Sequence, residues 1–309
     1  VVDSDVDGFT SAAIIYQYIK WKNPKVEIYN ILHEGKGHGL SDTIDKIFEL
    51  ENKVDVVILP DSSTNDKEYH DKLKEYGALD HHLSESDDYS DNAIIINNQL
   101  SDDYKNKELS GAGVTWQFCR QLDLLYKDSF ADSLIDLAAL GIVSDMMSVL
   151  SLENRYIIHK GFSNIQNYFF KALCEKQSFS MGGKITPISV AFYITPLINA
   201  MIRTGTMEEK ERCFTAFIDG HQLVPSQKRG AKGTLEEVAI ESARECTNAR
   251  SKQNRILDKA VEELEIKIHK YDLLENKILF VRLDNETFPP ELNGLTAMKL
   301  AAKYQKPTI

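Results

Sequence analysis

The sequence is poor in cysteine and has no long apolar run, and each deficit argues against a class of protein. Its 309 residues include four cysteines, which are far apart and form no Cys-x-x-Cys pair: Cys119, Cys174, Cys213 and Cys246. This spacing argues against a disulfide framework and favours reduced thiols in the cytoplasm. No stretch of about 18 apolar residues is present to span a membrane. We therefore expect a cytoplasmic protein without a membrane partner.

Positive charge is also scarce. The 36 Lys and Arg residues are outnumbered by 47 Asp and Glu residues, which gives a net charge of −11. This balance argues against a protein that coats nucleic acid by bulk electrostatic attraction, but it is compatible with a local basic groove. No signal-peptide pattern precedes the first expected strand. Because the chain begins without methionine and inside that strand, we expect its N-terminus to be trimmed.

The first ten residues contain the strongest motif. After two valines, three carboxylates alternate along the chain: Asp3, Asp5 and Asp7. Gly8 follows them and is expected to form a tight turn. A calcium loop would need a bidentate Glu at its twelfth position, where this chain has Ile14. Two interpretations remain: an acidic turn that caps the next helix, and a divalent-metal site at the carboxyl end of a strand.

Two later segments place similar chemistry at the ends of expected strands. Residues 54–59 are almost continuously apolar, as in a buried parallel strand, and Asp61 follows them. A second short apolar step ends in Asp80, His81 and His82. Because neighbouring parallel strands end at one edge of the sheet, we expect these side chains to share a crevice. A helix cap is the alternative for Asp61, and a structural role is the alternative for the histidines.

Three more segments bear on this crevice. Asp145 ends an apolar helical segment that begins near residue 133 and is a fourth candidate ligand. Residues 110–114 are small and open a helix, which permits close packing or a phosphate at the helix start. The glycine-rich loop at residues 33–40 lacks the Gly-Lys-Ser/Thr ending of a nucleotide P-loop. This loop is either a plain turn or a mobile rim over the site.

The order and spacing of these segments resemble the four motifs of the DHH phosphoesterase superfamily, which fall here at residues 3–8, 61, 80–82 and 139–145. Two stretches narrow the resemblance to RecJ-type single-strand exonucleases. Residues 34–40 are similar to the Glu-Gly-Tyr-Gly-Leu loop of that group, with Lys-Gly-His where the group has Tyr. Residues 110–114 are similar to its Gly-Ala-Gly-Val helix start. The resemblance covers at least residues 1–150.

A later segment extends the resemblance. Residues 194–203 are similar to a Pro-x-x-Asn-Ala-x-x-Arg segment of RecJ proteins, which would make Arg203 a phosphate-binding residue. Here Met201 and Ile202 replace the usual small residue and glycine, and a helix-surface role for Arg203 remains the alternative. Residues 291–297 and 304–309 are similar to the start of the DHH-associated C-terminal domain. The Gly-Gly-His segment of that domain is absent, so we expect a truncated copy or one that lacks this segment.

Periodicity predicts the remaining elements. We expect a helix over residues 11–22, strands over 26–32 and 93–97, and a helix over 66–76. Capping boxes are expected at Thr206 and Thr234, and the second opens a helical pattern that runs to about residue 271 without Pro or Gly. At a rise of roughly 1.5 Å per residue this helix would span tens of ångströms. We expect it to be a strut between domains rather than part of either core.

The resemblance implies an α/β fold built from four parts. These are a mostly parallel-sheet DHH domain at residues 1–160, a helical segment at 161–232, a long connecting helix at 233–272, and the start of a truncated DHH-associated domain at 273–309.

The resemblance also implies a two-metal site whose ligands are Asp3, Asp5, Asp61, His81 and Asp145, with Asp61 bridging the ions. Carboxylates with one imidazole suit Mn²⁺, and Mg²⁺ is the alternative. By the same resemblance, His82 contacts the phosphate and Asp80 orients the histidines, so that Asp61, His82 and Asp80 are the catalytic residues. Asp7 is expected in the turn or as a support for the ligands.

The main hypothesis is a Mn²⁺-dependent exonuclease that releases nucleotides from the 5′ end of single-stranded DNA by a two-metal mechanism. It would act as a monomer, beside a single-strand-binding protein or a helicase. The same chemistry on an oligonucleotide, a cyclic dinucleotide or pyrophosphate is the enzymatic alternative. A catalytically inactive DHH scaffold that binds DNA or a partner is the third hypothesis.

Overall fold

A parallel three-stranded sheet lies in the N-terminal part of the chain. The computed structural model describes residues 1–35, 37–50, 52–73, 75–283 and 288–309. The strands, in the order β1-β2-β3, are β1 (Val57–Pro60), β2 (Tyr76–Asp80) and β3 (Ala93–Asn97). Leu79 of β2 pairs with Pro60 of β1 and Ile96 of β3. The carboxyl ends of the strands therefore meet at one edge, and the expected α/β class is confirmed.

Helices surround this sheet. In chain order they are α1 (Val6–Lys22), α2 (Ile44–Leu50), α3 (Lys67–His70), α4 (Gly111–Tyr126), a 3₁₀ turn (Ala131–Leu134), α5 (Ile135–Ser144), α6 (Leu152–Ser163) and α7 (Tyr168–Lys176). Helix α1 begins directly after its N-cap Asp5 and packs against α4 and α5. This packing brings the start of α1 and the end of α5 to the same edge of the sheet.

The second half of the chain is mainly helical. It contains α8 (Pro187–Ser189), a π-helical turn (Val190–Ile194), α9 (Thr195–Thr204), α10 (Met207–Ile218), an antiparallel hairpin of β4 (Leu223–Pro225) and β5 (Leu235–Glu237), α11 (Val238–Lys270), two 3₁₀ turns (Leu273–Glu275 and Pro290–Leu292) and α12 (Asn293–Tyr304). The capping box expected at Thr206 is present and starts α10. No helix of the described residues is both long and apolar enough to cross a membrane.

One apolar cluster joins both halves. It contains buried side chains from α1, α4 and α5 together with side chains from α9, α10 and the first turns of α11 as far as Ala249. Each fully buried Leu or Ile contributes about 1.5–3 kcal/mol relative to an exposed one. A smaller cluster joins the end of α11 to α12 through Leu264, Ile268, Leu279 and Leu300. The long helix expected over residues 233–272 is present as α11 and connects the two clusters, but it packs into both of them, so the expectation that it is part of neither core was wrong.

Three other expectations also differ from the structure. Residues 26–32 pair only through Leu32, which bridges Val2 in parallel, although their alternation is typical of a strand. The helix expected over residues 66–76 is a single turn, because β2 begins at Tyr76. The box expected at Thr234 is not a helix start: β5 occupies Leu235–Glu237, and Glu237 precedes α11 without a side-chain cap. The domain boundaries stay a prediction.

Candidate metal centre

Asp61 lies at the end of β1 in a strained conformation. Its φ of 68° falls in the left-handed region, which costs a residue other than glycine about 1–3 kcal/mol and is typical of functional sites. The side chain is buried, and its Oδ1 has no hydrogen-bond partner in the described part of the chain. A Cβ on Gly111 would lie 2.2 Å from this Oδ1. The glycine at the start of α4 is therefore needed for the close approach of Asp61.

The three alternating aspartates converge on Asp61 because helix α1 starts among them. Asp5 is the N-cap, and its Oδ1 accepts a hydrogen bond from the Gly8 amide at 2.9 Å. Asp3 precedes the helix and is buried. Gly8 lies within α1 rather than in a separate turn, and a Cβ there would be 2.5 Å from the Cβ of Asp3. Close packing, not turn formation, explains this glycine.

Asp7 connects the first motif to the start of α4. Its Oδ2 accepts a hydrogen bond from the Gly111 amide at 2.7 Å, and its Oδ1 accepts one from the Ala112 amide at 3.2 Å. These are free amides of the first turn of α4, where a carboxylate is favoured by the helix dipole. The same carboxylate lies 3.9 Å from His81 Nε2. Asp7 therefore links α1 to α4 and also lies among the candidate ligands, and its expected role as a turn residue or a support for the ligands stays a prediction.

The candidate ligands form two adjoining groups. One contains Asp3, Asp5 and Asp61, the other contains Asp7, His81 and Asp145, and within each group the ligand atoms lie within 4.8 Å of one another. A third set with the same spacing, Asp61, His81 and His82, overlaps both groups and places His82 at the edge of the centre. His81 Nε2 is 3.3 Å from Asp61 Oδ1 and 3.6 Å from Asp145 Oδ2. All five residues expected as ligands are brought together. Asp7 was left out of the set, although its position two residues after Asp5 was a usable signal.

The carboxylates of the centre are buried and repel one another, and both effects favour binding of a cation. Burial, followed by repulsion from Asp7, raises the pKa of Asp5 to about 6 and that of Asp145 to about 7. The same causes, in the same order, raise the pKa of Asp61 well above its usual value. Buried Oδ1 atoms of Asp3 and Asp61 have no partner among the described residues. Divalent cations would satisfy these oxygens, and the oxygen-rich set with one imidazole fits Mn²⁺ or Mg²⁺.

The adjacent histidines have different surroundings. Burial lowers the pKa of His81, and its ring is hydrogen-bonded to the backbone of Leu109. His82 Nδ1 lies 2.7 Å from Asp80 Oδ1, and this contact raises the pKa of His82. Burial would raise the pKa of Asp80, but hydrogen bonds from His82 and Thr64 outweigh it and hold that pKa well below its usual range. Asp80 therefore orients the half-exposed His82 and favours its protonated form.

The glycine-rich loop reaches the centre, which supports the rim interpretation. His38 Nδ1 lies 2.8 Å from Asp3 Oδ2, and this hydrogen bond raises the pKa of His38 to about 9. Lys210 of α10 is buried and donates a hydrogen bond to the carbonyl of Glu34 at 2.7 Å. Neither His38 nor Lys210 was a sequence candidate, although His38 stands where RecJ-type loops have Tyr. Lys36 of this loop lies outside the described residues.

Arg203 lies beside the centre, in a polar cavity next to Asp145. The cavity has a volume of about 220 Å³ and is lined by Ser144 and Met146, which flank Asp145, and by Arg203 and Arg250. The charge of Asp5 raises the pKa of Arg203, against a larger lowering by burial. Arg203 is thus half-buried near the carboxylates rather than on an open helix surface.

Comparison with known sequences agrees with the motif resemblance. Residues 1–142 match the DHH family, N-terminal domain. The chain is 38% identical over 314 residues to a Bacillus subtilis (strain 168) protein named "Putative SPbeta prophage-derived single-strand DNA-specific exonuclease YorK", with 100% of this chain and 53% of that protein covered. It is 24% identical over 313 residues to the single-stranded-DNA-specific exonuclease RecJ of the same organism, with 99% and 36% covered. The chain thus spans about half, or less, of these relatives.

Solved structures share the fold. A crystal structure of exonuclease RecJ bound to manganese superposes with a TM-score of 0.75 at 20% identity, covering 99% of this chain and 73% of that one. RecJ from Thermus thermophilus in complex with Mn²⁺ gives a TM-score of 0.72 at 18% identity, covering 99% and 42%. A complex of the Thermus protein with Mg²⁺ gives 0.66 at 19% identity, covering 99% and 39%. At these identities the likeness concerns the fold.

Proposed function

We propose that the chain, whose residues 1–142 match the DHH family, N-terminal domain, is a metal-dependent exonuclease that hydrolyses single-stranded DNA from its 5′ end. The observation that carries this proposal is the pair of adjoining ligand groups, with Asp61 in the first group and 3.3 Å from His81 in the second. The names of the two Bacillus relatives support the substrate class. The 5′ polarity rests on the RecJ-type resemblance.

The proposed cofactor is a pair of Mn²⁺ ions, with Mg²⁺ as the alternative. Asp3, Asp5 and Asp61 would hold one ion, and Asp7, His81, Asp145 and Asp61 would hold the other. When bound, such ions act as Lewis acids that activate water and stabilise the leaving oxygen of a phosphodiester. The chain itself holds the ligands close together, through the helix start at Asp5 and the strained backbone at Asp61.

His82 is the proposed phosphate contact. Its Nδ1 is engaged by Asp80, which leaves Nε2 as the ring nitrogen that can donate to a substrate. The contact with Asp80 raises the pKa of His82 and so favours the protonated ring. A charge-assisted hydrogen bond from it to a non-bridging phosphate oxygen would strengthen as negative charge develops there. Asp80 is itself fixed, because its Oδ2 accepts a hydrogen bond from the Thr64 amide at 2.9 Å. Arg203 would contact the substrate beside Asp145.

We propose that the protein acts in the cytoplasm as a monomer, beside a single-strand-binding protein or a helicase that provides single strands. All four cysteines are buried and unpaired, as in a reducing compartment. Light scattering coupled to size exclusion tests the monomer, and a stable dimer would contradict it.

The decisive experiment is hydrolysis of a single-stranded DNA oligonucleotide labelled at either end, with Mn²⁺ and with a dinucleotide and pyrophosphate assayed in parallel. Asp61→Asn is the inactive variant, and Asp55→Asn, an exposed change just before β1, is its matched control. Release of nucleotides from the 5′ end, lost only in Asp61→Asn, is the expected result. Hydrolysis of the small substrates alone would replace the proposal by a small-substrate phosphodiesterase. No hydrolysis by the chain or by a longer natural form would favour the scaffold.

A further inference from the structure

The cavity beside Asp145 has the composition of an anion site. Three of its polar lining residues, Thr195, Asn199 and Arg203, are four residues apart on α9 and therefore share one helix face. Arg250 of α11 lines the same space of about 220 Å³. No carboxylate lines it among the described residues. Its polar lining is thus cationic or neutral, in contrast to the acidic centre next to it.

Thr195 has an unsatisfied group in this cavity. The residue is 6% exposed, and its hydroxyl Oγ1 has no hydrogen-bond partner within the described part of the chain. A buried hydroxyl without a partner costs about 1–3 kcal/mol. Oγ1 itself is covered in this structure, so a ligand with hydrogen-bond acceptors in the cavity would remove this cost after rotation of the Thr195 side chain.

Neither cavity arginine forms an ion pair with a carboxylate of the described residues. Arg203 makes no hydrogen bond or ion pair with the described residues, and Arg250 donates only to the neutral Oε1 of Gln253, at 2.7 Å. By contrast, Arg212 is paired with Glu245 at 2.8 Å, and Arg244 with Glu236 at 2.7 Å.

Burial lowers the pKa of both cavity arginines; at Arg203 the charge of Asp5 opposes this effect and the charge of Arg250 adds to it. Two desolvated like charges are unfavourable until an anion lies between them. If Arg203 and Arg250 only stabilised the fold, we would expect each to be paired with a carboxylate, as Arg212 is.

We propose that Arg250, with Thr195 and Asn199, binds a backbone phosphate of the DNA strand next to the phosphate that is hydrolysed. This subsite rests on the proposed nuclease function and extends it. A guanidinium presents two parallel N–H groups to a phosphate, which gives orientation as well as attraction. Because Ser144 and Met146 place the cavity directly beside Asp145, a phosphate held there fixes the register of the strand against the metal centre. The subsite therefore favours a polynucleotide over a substrate with a single phosphate.

The test replaces one phosphate at a time. Single-stranded oligonucleotides, each with one neutral methylphosphonate linkage near the 5′ end, are bound to the protein in Ca²⁺, with the absence of cleavage checked by gel. Fluorescence anisotropy gives Kd for the natural protein, Arg250→Gln, Arg250→Lys and the control Arg255→Gln, an exposed arginine on the same helix. Thermal unfolding of each variant verifies that it is folded.

In the expected result, a neutral methylphosphonate at the linkage next to the scissile one weakens binding of the DNA to the natural protein. Arg250→Gln weakens binding of unmodified DNA by about 10- to 100-fold, the range of one hydrogen bond to a charged group. The neutral linkage does not increase the Kd of Arg250→Gln any further. The Kd of Arg250→Lys lies between those of the natural protein and Arg250→Gln, and Arg255→Gln has the Kd of the natural protein.

Two outcomes would overturn the subsite while leaving the nuclease proposal intact. In one, Arg250→Gln binds DNA as the natural protein does. In the other, it binds more weakly, but each neutral linkage still has its full effect, so that Arg250 supports the fold and does not contact a phosphate. If the natural protein neither binds nor hydrolyses single-stranded DNA, the proposed function and the subsite both fail.

Discussion

His81 Nε2 lies 3.3 Å from Asp61 Oδ1, and this contact joins the two ligand groups of the centre. The two residues follow neighbouring parallel strands, and the Asp61 amide continues the ladder by donating a hydrogen bond to the Leu79 carbonyl at 2.8 Å. The sheet therefore fixes how far apart the groups lie. The predictions below separate metal binding from chemistry and from folding.

Asp61→Asn should abolish metal-induced stabilisation without unfolding the protein. Asparagine tolerates the left-handed backbone at this position, and losing a crowded, buried charge removes repulsion in the metal-free protein. In EDTA we expect a Tm equal to or above that of the natural protein. Mn²⁺ should raise the Tm of the natural protein and of Asp55→Asn, because a ligand bound only to the folded state stabilises it. A full Mn²⁺-induced rise in Asp61→Asn would contradict the ligand role.

The substitutions His81→Ala and His82→Ala should both lower hydrolysis, but for different reasons. His81 faces Asp61 and Asp145, so its loss should weaken Mn²⁺ binding more than the roughly 10- to 100-fold typical of residues that only support ligands. His82→Ala should retain Mn²⁺ affinity but lower kcat by about 10²- to 10³-fold, as for loss of one hydrogen-bond donor to developing negative charge. Calorimetric Mn²⁺ titration and single-turnover hydrolysis check the pair. Equal loss of metal by both variants would assign His82 to the ligands.

Gly111→Ala should damage the centre through Asp61. The new Cβ would lie 2.2 Å from Asp61 Oδ1 and 2.6 Å from its Cβ, so the carboxylate must move and Mn²⁺ affinity must fall. Overpacking of this kind costs about 1–3 kcal/mol of folding free energy. Gly294→Ala is the matched control, since nothing lies within 4 Å of its added methyl group, and in helix α12 alanine should add about 0.5–1 kcal/mol. Urea unfolding and Mn²⁺ titration measure both effects, and unchanged Mn²⁺ affinity in Gly111→Ala would contradict the close approach.

The metal-free protein should lose stability as the pH rises from about 4 to 7. The folded-state pKa values of Asp5 and Asp145 are about 6 and about 7, above the ordinary value of 3.8. Within this window the folded state therefore binds more protons than the unfolded state, and the free energy of unfolding falls with increasing pH. Mn²⁺ affinity should rise over the same range, because the ion displaces those protons. Urea unfolding in EDTA at several pH values is the measurement, and a rise in stability across the window would contradict the raised pKa values.

Local sequence patterns predicted the features that depend on a single strand or helix. The strand at residues 93–97 and the capping box at Thr206 are local signals, and both are confirmed. Asp61, Asp80 and His81 follow apolar strands, so their convergence could be inferred from the parallel sheet. The alternation over residues 26–32 was misleading, because a strand also needs neighbours to pair with and here the only bridge among the described residues is at Leu32.

Contacts between residues that are far apart along the chain could not be predicted from the sequence. Asp7 accepts a hydrogen bond from Gly111, which is 104 positions away, and no local pattern indicates such a pair. The same holds for the contact between Lys210 and Glu34, which are 176 positions apart. Thr234 carried a valid capping signal, but the antiparallel pairing of Leu235 with Pro225 extends the chain there instead. In each case tertiary contacts decide the outcome.

Helix α11 connects the main core, Arg250 and the C-terminal cluster along one uninterrupted rod. Its residues up to Ala249 pack in the main core, and Leu264 and Ile268 pack beneath α12. Inserting one residue between Arg250 and Leu264 would turn everything beyond it by about 100° and advance it by about 1.5 Å. The C-terminal cluster would then face away from the cavity that Leu295 helps to line. Natural selection should therefore tolerate substitutions along the exposed side of this helix far more readily than any change in its length.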